Sequence, residues 1–136
     1  MRLATTLLVL LISLFPKLLC AEACKKYEST YLIGTIVRQT FPGRPNYESV
    51  AKGDEAEKVW VLHLLTPACV QGNGSDPEEK NISDVQLVLN EKQYQQYRDL
   101  VGKIVSASGT IFHSETGHHH TKVLLTVTSL NEPIVN

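Results

Sequence analysis

Four of the five histidines in this 136-residue chain fall within one stretch, His113-Ser114-Glu115-Thr116-Gly117-His118-His119-His120. Imidazoles beside a carboxylate form a donor set suited to zinc, copper or nickel. His113, Glu115, His118, His119 and His120 are therefore candidate ligands for such an ion. Their alternative role is a hydrogen-bonded cluster that shapes a hairpin. Strand geometry limits convergence, because successive side chains point to opposite faces. Placing Gly109 opposite Val123 keeps Val105, Ala107 and Ile111 on one face with Val123, Leu125 and Val127. That register puts His113 and His119 on the core side and turns His118 and His120 away.

A second group with binding chemistry is Phe41, Arg44 and Tyr47, in the proline-stiffened segment FPGRPNYESVAKGDEAE. Aromatic residues and arginine dominate protein interfaces, so these three are candidate partner-binding residues. The alternative is that Phe41 and Tyr47 simply pack over the end of a β-barrel. No serine or cysteine stands beside a base and an orienting group. Paired carboxylates, phosphate loops and cofactor fingerprints are also missing from the sequence, so it reads as a non-enzyme with no required cofactor. His63, alone in a strand pattern, reads as a satisfied sheet residue.

The elements that must carry these groups follow from patterning. Met1-Arg2-Leu3 and the apolar run Leu7 to Phe15 read as a secretory signal, with cleavage after Ala21 or Ala23. The expected division is a signal peptide over residues 1–23 and a single domain over 24–136. The apolar run is too short for a membrane span. Cleavage removes Cys20, leaving Cys24 and Cys69 as an even pair suited to a disulfide in an oxidising compartment. The mature chain then carries 11 basic and 13 acidic residues. That balance gives no electrostatic reason to bind nucleic acid or anionic membranes.

Period-2 patterns predict strands over 31–39, 58–65, 84–89, 103–113 and 121–130. One short helix is expected between the third and fourth strands. Asn90 is its cap, Gln93 completes a capping box, and Gly102 is the stop. This order suits a mainly β fold, a small five-stranded OB-like barrel. Two long connections, 41–57 and 71–83, interrupt it.

Three segments, FPGRPNYESVAKGD, VWVLHLLTPACV and GTIFHSETGHHHT, resemble a bacterial exported domain family of unknown function. The shared patterns are FPGxPNYES..GD and TGHHHT, and the resemblance runs from Cys24 to about Leu130. It implies a periplasmic address and a paired Cys24–Cys69, and it transfers no catalytic role. Small proteins of this kind often neutralise toxic effector enzymes, so the resemblance implies a protein partner of that class. A periplasmic metal-binding protein is the alternative.

Overall fold

The computed structural model describes residues 23–134. The expected signal segment lies outside them except for Ala23. Five strands carry the fold: β1 (Ser29–Pro42), β2 (Ala56–Val70), β3 (Glu79–Val88), β4 (Ile104–His113) and β5 (Val123–Asn131). One helix, α1 (Glu91–Gln96), and two single 3-10 turns complete it. Among the described residues no helix is long and apolar enough to cross a membrane.

β1 pairs with β2 and β4, β2 with β3, β4 with β5, and β3 with β5, so the order β1-β2-β3-β5-β4 returns to its start. The OB-like barrel expected from the sequence needs correcting here. Four ladders are antiparallel, but β3 meets β5 in parallel over just Gln86↔Leu124, Leu87↔Leu125 and Val88↔Thr126. The β2–β3 ladder also loses register twice, between His63 and Val70. The ring closes through the short parallel contact and an irregular β2–β3 ladder. The description that stands is a mainly β, five-stranded sheet with one short helix.

Alternation explains which side chains fill the interior. Ile36, Leu62, Leu87, Val105, Ile111 and Leu125 are all within 2% of full burial and belong to one core cluster. The helix forms where local chemistry asks for it. Asn90 accepts from the Gln93 backbone N–H, and the Gln93 side chain accepts from the Asn90 N–H. The helix is shorter than expected, with Tyr97 as its C-cap before a 3-10 turn at Arg98–Leu100. Tyr94 packs edge-on against Trp60 at 5.0 Å and ties the helix to the core.

The Cys24–Cys69 disulfide is formed. It holds the N-terminal segment against β2, where the Lys25 N–H donates to the Cys69 carbonyl at 2.8 Å.

Candidate functional site

The β4–β5 register departs from expectation. Gly109 faces Val127 rather than Val123, and His113 faces Val123, leaving residues 114–122 as a nine-residue loop. The core parity is unchanged because the offset is even. The loop is long enough to fold back over the sheet, and that relocates the histidines.

Val61, Gln86 and Leu124 are cross-strand neighbours on β2, β3 and β5. All three are buried, although they alternate with the residues of the interior cluster. The 114–122 loop covers this outer row. Gln86 clamps it, donating from Nε2 to the His118 carbonyl at 3.0 Å and accepting from the His120 N–H at 2.7 Å. Thr121 Oγ1 accepts from the Gln86 N–H and donates to the Val123 carbonyl. Nothing in the sequence marks Gln86 except its place on the polar side of a strand.

At the edge of this cover lies a polar cluster centred on Glu57. Glu57 is the cross-strand partner of Phe41, so both start from the outer face. His118 Nδ1 donates to Glu57 Oε1 at 2.6 Å, and His120 Nε2 donates to Oε2 at 2.8 Å. The Tyr47 hydroxyl lies within hydrogen-bonding distance of His118 Nε2, at 3.2 Å. Phe41 stacks on His120, and the Tyr47 ring stands edge-on to His118. Burial pushes the Glu57 carboxyl up, but the hydrogen bonds from His120 and His118 outweigh it and hold the group below its ordinary value. Gly43 lies directly behind Glu57, and a Cβ there would sit 2.6 Å from its side chain.

The expected metal set is not assembled. His113 instead faces Glu79 at 3.3 Å, with Lys122 on the second oxygen at 3.2 Å. The hydrogen bond from Lys122 leads, against burial, in keeping Glu79 below its ordinary value. His119 uses Nδ1 to accept the Glu115 and Thr116 N–H groups and rests its ring against Phe112. Glu115 is exposed and meets His119 through its backbone N–H. Among the described residues, no group of three or more histidine, cysteine or acidic side chains is arranged to hold a metal ion. His63 pairs with Asp84 at 2.8 Å on the exposed side of the sheet.

The 41–57 connection is tied at several points. Asp54 accepts from the N–H groups of Asn46, Glu48 and Ser49 and from the Asn46 side chain. The backbone bonds from Ser49, Glu48 and Asn46 lower its pKa. Tyr47 sits over Gly117, where an added Cβ would meet the ring at 3.0 Å. Of the three expected partner-binding residues, Phe41 and Tyr47 are therefore engaged in packing. Arg44 stands out at the tip with Pro45 and Asn46, and its side chain is 69% exposed.

Residues 84–131 match the family model of a domain of unknown function, DUF4431. The match spans the second half of β3, the helix, β4, the histidine loop and β5. It therefore includes Gln86 and the loop it clamps, while Glu57, Phe41 and Tyr47 lie outside it. No curated protein and no solved structure matches the chain.

Proposed function

We propose that this chain is an exported, non-enzymatic protein-binding module that presents the tip of the 41–57 connection. The partner class we favour is a toxic enzyme met in the periplasm, for which the chain acts as inhibitor or immunity protein. One observation carries the reading. Asp54 and Tyr47 tie the connection from both sides, while Arg44, Pro45 and Asn46 remain exposed at its tip. A tip ordered before binding loses little conformational entropy on contact, and arginine is a frequent interface anchor.

The test is capture of partners from periplasmic extract, followed by reconstitution of the complex from pure components. Tyr47 is an unsuitable probe because it holds the histidine loop. Arg44→Ala is cleaner: it is expected to weaken the reconstituted complex at least tenfold without altering the melting temperature. An unchanged affinity in that variant refutes the role given to the tip.

A further inference from the structure

The sheet has a slot in its wall. The β1–β2 ladder ends at Gly34↔Leu64. Gly34 permits a close crossing there, since a Cβ would fall 2.3 Å from the His63 carbonyl oxygen. Beyond it the two strands separate. β1 continues from Ile33 to Ser29 paired with β4 alone. The β2–β3 ladder meanwhile steps from His63↔Asp84 to Ala68↔Ile82. Leu65, Thr66 and Pro67 thus belong to neither ladder among the described residues. Pro67, which has no N–H, is tolerated for that reason.

The far end of the slot is closed. Lys25 forms a parallel bridge with Val70, and the Gln71 N–H donates to the Lys25 carbonyl at 2.8 Å. Between these ends lies a cavity of about 400 Å³. Tyr31, Ile33 and Leu65 flank it at 58%, 40% and 58% exposure, and Leu32 and Leu64 of the core lie at its base. Exposed apolar side chains gathered around a concavity mark a binding site more than a random surface does.

We infer that this slot binds an extended apolar peptide from a partner protein, which enters between β1 and β2 as an added strand. Two features choose this occupant. The slot is bordered by strand edges that offer backbone groups, the mode in which a peptide augments a sheet. Tyr31, Ile33 and Leu65 offer apolar contacts to the alternate side chains of such a strand. The surface is distinct from the Arg44 tip and does not depend on it.

The probe is a fluorescein-labelled hexapeptide of alternating valine and threonine with a free C-terminal carboxylate, titrated into the disulfide-intact protein. Saturable anisotropy is expected, with slowed amide exchange at Leu65 and Thr66. Leu65→Lys, at an exposed position that leaves the core intact, is expected to lose at least tenfold, whereas Arg44→Ala binds the probe normally. Absence of saturable binding overturns the inference. So does equal binding of a backbone N-methylated peptide, which cannot pair with a strand. A concentration-dependent dimer abolished by Leu65→Lys assigns the slot to a second copy instead.

Discussion

Phe41 lies flat on His120, with ring planes 2° apart and centroids 4.5 Å apart. The contact joins the end of β1 to the loop between β4 and β5, segments nearly eighty positions apart in the chain. It also seals the Nε2 contact of His120 with Glu57, leaving the His120 side chain 7% exposed. A charged acceptor in such a setting contributes more than a solvent-facing one.

Glu57→Gln is expected to destabilise the fold by about 2 kcal/mol, the scale of hydrogen bonds to a charged group. The amide keeps one acceptor oxygen and cannot receive both imidazoles. Urea denaturation measures the loss, and ring-proton shifts of His118 and His120 report their release. An unchanged midpoint contradicts a stabilising role for these two hydrogen bonds.

Stability should fall on acidification. Asp54, Glu57 and Glu79 all have lowered pKa values in the folded chain. A carboxyl held lower when folded adds stability above its unfolded value, about 4 for these groups. That contribution disappears as the pH falls through the folded value. Denaturation midpoints are therefore expected to be level from near neutrality down to about pH 5 and to decline below about pH 4. Glu57→Gln should start lower and decline less. A midpoint that rises on acidification runs against this account.

Reduction of Cys24–Cys69, which are 45 positions apart, should cost about 4 kcal/mol on the loop-entropy model. Comparing thermal unfolding of the oxidised protein with a Cys24→Ser/Cys69→Ser variant measures it. A difference below about 1 kcal/mol places the effect outside that model.

Gly109→Ala should be far more damaging than a typical surface change. Its Cβ would stand 2.0 Å from the Thr126 carbonyl oxygen, a backbone atom that cannot swing aside. Overpacking of this kind costs about 1–3 kcal/mol or more. The register shift between Ser108 and Gly109 sits at the same place. The readout is the denaturation midpoint together with the dispersion of β5 amide signals; a native midpoint excludes the clash.

Local signals were the most legible in the sequence. The Asn90–Gln93 capping box is decided within four residues, and it forms as read. Strand parity was equally readable, since Val123, Leu125 and Val127 face the interior. Parity cannot set loop length, because an offset of four residues preserves every face. Parity alone allows a shorter histidine loop than the one that residues 114–122 form. Glu57 falls in the 41–57 connection by sequence, yet it lies in β2 and is the acceptor for two imidazoles. The three neighbouring histidines divide likewise: His118 and His120 share Glu57, whereas His119 accepts two backbone N–H groups. The slot was unreadable beforehand, because it depends on where two ladders stop rather than on any motif.

The bridge between Cys24 and Cys69 acquires a further meaning from the Lys25↔Val70 pairing beside it. Those two links anchor the far wall of the slot to β2. A chain still in a reducing compartment lacks the covalent one, so its first residues are held by backbone pairing alone. The bridge is thus part of the frame of the proposed slot: reducing it would loosen the end at Val70 while leaving the Gly34↔Leu64 end paired.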